Sequence, residues 1–180
     1  MGNQEETQGI SGEVKFGDPE KINGSVGAVL YTSSRDQYMG DPITTKGLYL
    51  RTDIGKSWQL VAFIGPAPPG RDYGIMPSSV QLSEGSILTT FRRRHWIEAW
   101  RSDDGGRWWS FKNIPVPNTG RGNPPSTVKL QDGRIAITYG FRAKPYGIRA
   151  RLSSNNGETW SPEIVLRQDG GNWDLGYPRT

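Results

Sequence analysis

The sequence contains no cysteine and a single histidine, His95. The first absence excludes a disulfide framework, a thiol nucleophile and a cysteine-ligated zinc site; the second excludes a multi-histidine metal centre. No metal and no cofactor is therefore expected. Long apolar runs are also missing. None approaches the roughly 18 residues a membrane-spanning helix needs, so no membrane partner is expected. The N-terminus, Met1-Gly2-Asn3-Gln4-Glu5-Glu6, is polar and acidic and lacks the charged-then-apolar form of a secretory leader. The cellular compartment stays open.

What the chain has in quantity is turn formers and rings. Its 180 residues include 24 Gly and 13 Pro, too many breakers for a helical bundle. Seven Trp and an aromatic share of 11% are too much for a disordered chain. Short strands joined by many turns fit both facts, so the fold class expected is all-β. Lys and Arg number 22 against 18 Asp and Glu, a net charge of +4. A mildly basic chain of this kind can meet nucleic acid, an anionic surface or acidic small molecules, and the net charge alone does not choose.

A repeat carries the architecture. Three segments share the skeleton Ser-x-Asp-x-Gly-x-x-Trp: Arg51 to Trp58 with Asp53 and Gly55, Ser102 to Trp109 with Asp104 and Gly106, and Ser153 to Trp160 with Asn155 and Gly157. Their final tryptophans, Trp58, Trp109 and Trp160, recur every 51 residues. An Asp or Asn side chain can bond backbone N–H groups of its own turn, Gly accepts positive φ, and the Trp can pack between neighbouring units. A second motif keeps step. Pro77-Ser78-Ser79-Val80-Gln81-Leu82-Ser83-Glu84-Gly85 matches Pro125-Ser126-Thr127-Val128-Lys129-Leu130-Gln131-Asp132-Gly133, and each sets two β-prone runs around a tight turn. A third strand, the acidic turn and a fourth strand beginning at the Trp complete the unit. Four antiparallel strands per roughly 50 residues describe a propeller blade.

The chain here resembles the sialidase-like β-propeller family, whose acidic turns are known as Asp-boxes or BNR repeats. Arg51 and Asn155 depart from the usual residues at their positions without altering the pattern. The resemblance implies four-stranded blades of a six-bladed ring. The expected layout is an N-terminal segment at 1–27, with blade one's innermost strand within 12–26. Blades follow at 28–64, 77–114 and 125–166, and a further blade starts at 174–180. Since about three blades cannot close such a ring, two explanations stand: the missing blades belong to a longer chain, or two chains pair as a homodimer to make six.

The same layout sorts loops by face. The acidic turns lie on one side and are expected to be structural. The loops leading into first strands (65–76, 115–124, 168–177) and those between second and third strands (92–95, 142–147) lie on the other. Together with Arg179 these carry eight Arg or Lys, among them Arg71, Arg92, Arg93, Arg94, Arg121 and Arg142, against three acids, Asp72, Asp169 and Asp174. Guanidinium groups bind carboxylates bidentately and stay charged, and rings such as Trp173 and Tyr177 stack on a sugar's apolar face. An acidic glycan or glycoside is the expected partner. His95 is a further candidate for the site. Consecutive Arg92, Arg93 and Arg94 cannot all point the same way from an extended segment.

What the resemblance implies for catalysis transfers only in part. Sialidases of this type hold the substrate carboxylate with three arginines and use a Tyr nucleophile, a Glu and an Asp acid/base. Their first arginine lies in Phe-Arg-Ile-Pro, and the nearest match here, Gly74-Ile75-Met76-Pro77, has Ile75 in its place. The sequence therefore implies a sialidase-like hydrolase domain in which Arg71, Arg121 and Arg179 hold a carboxylate, Asp174 serves as acid/base, and no nucleophile is identified. The alternative is a non-catalytic carbohydrate- or protein-binding propeller. Nucleic-acid binding through Arg92 to Arg94 is not favoured, because nothing resembles a known nucleic-acid module.

Overall fold

In the computed structural model the described residues are 26–31, 47–52, 58–64 and 75–179. They form eleven strands in three antiparallel sheets. The first sheet holds β1 (Val26–Tyr31), β2 (Gly47–Thr52) and β3 (Trp58–Ile64). The second runs β4 (Ile75–Gln81), β5 (Ile87–Arg92), β6 (Ile97–Ser102) and β7 (Ser110–Val116) in sequence order. The third runs β8 (Ser126–Lys129), β9 (Ile135–Phe141), β10 (Gly147–Ser153) and β11 (Ile164–Arg167). The described residues contain no helix. Blade one's innermost strand, expected within 12–26, falls outside the described residues apart from Val26, which opens β1.

The two complete sheets are built to one plan. Their first hairpins turn through Glu84-Gly85 and Asp132-Gly133. In both, the glycine takes positive φ, 91° at Gly85 and 87° at Gly133, and the turn closes with equivalent backbone bonds. Leu82 N–H donates to Ser86 O at 2.8 Å, and Leu130 N–H to Arg134 O at 2.7 Å. Strand pairing also matches, since Ser78 lies opposite Thr90 as Ser126 lies opposite Thr138.

The acidic turns repeat atom for atom where it matters. Ser102 Oγ accepts from Gly106 N–H at 2.8 Å, and Asp104 Oδ1 accepts from the N–H groups of Arg107 and Trp108. In the third sheet Ser153 Oγ accepts from Gly157 N–H and Asn155 Oδ1 from Thr159 N–H, both at 2.9 Å. An amide oxygen thus does the work of the carboxylate. The fourth strand starts slightly later than the sequence implies. Trp109 ends the turn as a buried side chain and β7 begins at Ser110, while β11 begins at Ile164, four residues past Trp160. The tryptophan is spent on packing before the ladder resumes. Asp53 and Gly55 lie outside the described residues, as does the Trp58 side chain.

The core lies between sheets. Trp109 packs with Ile64 of the first sheet and with Phe91 and Trp100 of its own. Trp160 reaches back to the second sheet, packing against the clusters formed by Leu88 and Ala99 and by Ile97 and Val116. Asn113 of β7 fixes that joint: its amide donates to Gly157 O at 2.7 Å, and its oxygen accepts from Trp160 Nε1 at 3.3 Å.

Candidate functional site

Contacts between loops separate the two faces. On one, the β4–β5 turn meets the acidic turns through ions and amides. Glu84 pairs with Arg101 at 3.2 Å and accepts from the Asn156 amide at 3.1 Å. On the other face, the strand outlets at 92–96 and 142–146 meet the inter-blade segments 117–125 and 168–179.

Residues 117–125 act as a keystone on that second face. Thr119 is fully buried and donates to His95 O from both its N–H and its hydroxyl, while its carbonyl accepts from Arg142 N–H at 2.8 Å. One residue thereby ties the outlets of β5 and β9. Gly120 and Gly122 follow, both at positive φ, where neighbouring backbone leaves no room for a side chain. A Cβ on Gly120 would lie 2.5 Å from the carbonyl carbon of Arg142, and one on Gly122 would lie 2.7 Å from Arg94 O. Asn123, also fully buried, accepts from Gly140 N–H at 2.9 Å and donates to Gly176 O at 3.2 Å. It ties the end of β9 to the segment that carries Tyr177.

Arg142 sits at the centre of what these ties assemble. It follows β9 directly and is only 7% exposed. Its guanidinium lies over the rings of Trp173 and Tyr177, 5.5 and 5.9 Å from their centroids, in cation–π geometry. Its ion-pair partner is Asp174, at a long 3.7 Å, and that carboxylate is 67% exposed. Burial first, and then the charge of nearby Arg92, push the Arg142 pKa down from its usual value; Tyr177 and Asp174 pull it partly back. Arginine remains a cation at physiological pH regardless. The site is thus a fixed cation between two half-exposed rings, beside a second cation, with one solvent-facing acid.

The remaining expected residues are distributed around it. Arg92 closes β5 and reaches Met76 Sδ, 3.6 Å from its Nη1. Met76 itself holds a φ of 52°, left-handed backbone for a non-glycine residue. Arg93 turns inward to a buried ion pair with Glu98, which also accepts from Trp100 Nε1 at 2.8 Å. Arg94 is exposed, so the three arginines diverge where the chain leaves β5 and bends. His95 is exposed, with Nδ1 2.6 Å from Gly120 O. Arg121 and Arg179 are exposed on the rim, and Arg71 lies outside the described residues. The structure therefore gathers Arg142, Asp174, Trp173, Tyr177 and Arg92. Thr119 and Asn123, which hold them, do not stand out in the sequence. The signal that could have found the keystone is the Thr-Gly-Arg-Gly-Asn run with its paired glycines. Among the described residues no cluster of three or more His, Cys, Asp or Glu could hold a metal ion, and no helix is long and apolar enough to cross a membrane.

Stacked four-stranded blades with acidic turns on one face and a cationic, aromatic face opposite define a β-propeller module of the sialidase type. The chain belongs to the BNR repeat-like domain family, whose model matches residues 20–180. A solved structure of a protein of unknown function from Dyadobacter fermentans is similar over 89% of this chain and 43% of its own, at 30% identity and a TM-score of 0.72. An α-L-arabinofuranosidase of Fusarium graminearum, solved with arabinobiose, is similar over 82% of this chain and 47% of its own, at 15% identity and a TM-score of 0.61. A Hadza microbial sialidase matches over 76% of this chain and 34% of its own, at 20% identity and a TM-score of 0.59. The chain therefore spans less than half the length of these structures. No curated protein sequence matches it significantly.

Proposed function

We propose that this module recognises an acidic sugar at the seam following the third sheet, and that in a completed propeller it serves a glycoside hydrolase of the sialidase-like type. The observation that carries the reading is Arg142: a buried guanidinium held between two rings, beside the charge of Arg92, whose acidic partner is an exposed carboxylate at a long contact. A carboxylate on the ligand supplies the compensation that this cation lacks, and Trp173 and Tyr177 offer faces for the ring that carries it. Arg92 and the rim residues Arg121, Arg179 and His95 extend the recognition surface. Asp174 is the acid/base of the enzyme version.

A non-catalytic binding module is the second reading, and the Asp174–Arg142 pair favours it, because it gives the carboxylate a structural use. The two readings separate in one pair of assays. Binding of a panel of carboxylated and neutral glycosides is measured with the native chain, Arg142→Ala and Asp174→Ala, and hydrolysis is followed in parallel. Recognition of acidic members only, lost tenfold or more in Arg142→Ala, supports the site. Turnover abolished in Asp174→Ala with affinity kept makes it an enzyme; affinity kept with no turnover in either protein makes it a binder. Equal affinity for neutral and acidic members contradicts both.

A further inference from the structure

The acidic turn of the third sheet carries a reactive pair that its counterpart lacks. The turns align as Ser102 to Gly106 and Ser153 to Gly157, so Asn156 stands where the second sheet has Gly105. Both residues are left-handed, at φ of 55° and 71°, a conformation that glycine takes freely and asparagine tolerates. Glycine would therefore serve the turn. What asparagine adds is a tie across the seam between the two sheets, since its amide donates to Glu84 Oε2 at 3.1 Å. What comes with it is an Asn-Gly pair. With no side chain on Gly157 in the way, the Gly157 amide nitrogen can attack the side-chain carbonyl carbon of Asn156. The nitrogen gives up its proton to solvent, the new N–Cγ bond forms, and the side-chain amide leaves as ammonia after taking a proton. Water then opens the cyclic imide to aspartate or isoaspartate, so one water is consumed and one ammonia released.

The fold restrains both reacting groups. Gly157 N–H donates to Ser153 Oγ at 2.9 Å in a buried bond, and Glu84 holds the Asn156 amide. Gly157 is itself buried against the second sheet: a Cβ there would stand 2.9 Å from Leu88 Cδ2, and its carbonyl accepts from the Asn113 amide at 2.7 Å. The turn can rearrange for attack only when this seam opens. We propose that Asn156 is a self-modification site gated by the seam. The Ser153 hydroxyl suppresses deamidation while the seam is closed, and opening allows a conversion that weakens reclosure. The product carboxylate replaces a hydrogen-bond donor opposite Glu84. The nearby cations are already engaged, Arg101 by Glu84, Asp103 and Glu158, and Lys112 by Glu158. A further acid there is a like charge without a cation of its own. The inference is independent of the sugar site on the opposite face.

The test incubates the folded chain in mildly alkaline buffer and follows the tryptic peptide Leu152–Arg167 by mass spectrometry with fragmentation. Reading this peptide alone keeps out Asn23-Gly24, the other Asn-Gly pair in the sequence. The native chain, Ser153→Ala and Ser102→Ala are compared with the same peptide made synthetically. Ser102→Ala removes the equivalent bond from the second sheet, so it controls for general loosening. Conversion at Asn156 is expected to be at least tenfold slower in the native chain than in the free peptide. It should stay close to native in Ser102→Ala and run severalfold faster in Ser153→Ala. Native conversion at the peptide's rate overturns the proposal, and so do equal rates in the two serine variants. Asn156→Asp, which encodes one product, checks the consequence by urea unfolding. It should lower the midpoint in the native background and lower it clearly less alongside Glu84→Gln. An equal drop in both backgrounds overturns the proposed weakening of the seam.

Discussion

Ser102 and Asp104 show how little of a repeated turn is free to vary. Ser102 is itself buried, accepts from Gly106 N–H and donates to Asp104, so Ser102→Ala loses both bonds at the base of the turn. The expected cost is about 1–2 kcal/mol, read as a lower urea midpoint. Asp104 has its carboxyl held below the usual range, chiefly by the Trp108 N–H, with help from Ser102 and Arg107. Because the folded value is the lower one, its contribution is fully present above the unfolded value near pH 4 and is lost as pH falls through the folded value. The side chain is exposed, which keeps the effect small. Asn155 performs the same task in the third sheet without a charge. Asp104→Asn should therefore match the native midpoint at pH 7 and lose less stability between pH 4 and pH 2; an Asn variant that tracks the native acid limb contradicts this. The Asp-to-Asn equivalence was legible in the sequence, because an amide oxygen is an acceptor wherever it stands. Which arginine would be buried was not. Arg121 and Arg142 have the same chemistry, and only the fold puts one on the rim and the other between two rings.

At the scale of the element, glycines that look alike in the sequence divide sharply. Gly133 turns the β8–β9 hairpin with open space where a Cβ would stand, whereas Gly120 presses on the Arg142 backbone. Gly133→Ala should cost about 1–2 kcal/mol from its left-handed backbone alone. Gly120→Ala adds overpacking, about 2–5 kcal/mol in all, and should weaken ligand binding by displacing Arg142. Equal midpoints for the two variants would show that the keystone is not tight. Strand order and the hairpins followed from alternation and Glu-Gly or Asp-Gly turns, signals local to a few residues. The keystone did not, since Thr119 and Asn123 act on residues 24 and 53 positions away, and no local pattern records such a reach.

For the whole molecule, the two faces divide the charge. Ion pairs such as Arg101 with Glu84 and Lys112 with Glu158 occupy the acidic-turn face, while Arg92 and Arg142 stand together on the other. Binding one carboxylate there involves one or two charges, so affinity should fall only severalfold between 50 and 200 mM salt, by about one unit of log–log slope. A loss of about a thousandfold or more over that range would point to a polyphosphate ligand instead. The blade plan itself was readable from a 51-residue interval because each blade must rebuild the same turn and the same inter-sheet tryptophan. The most direct measurement compares one sugar with and without its charge: calorimetric titration of the native chain with N-acetylneuraminic acid and with its methyl ester. The account predicts binding of the acid, at least tenfold weaker binding of the ester, and no such difference in Arg142→Ala. Binding of acid and ester with equal affinity would contradict it.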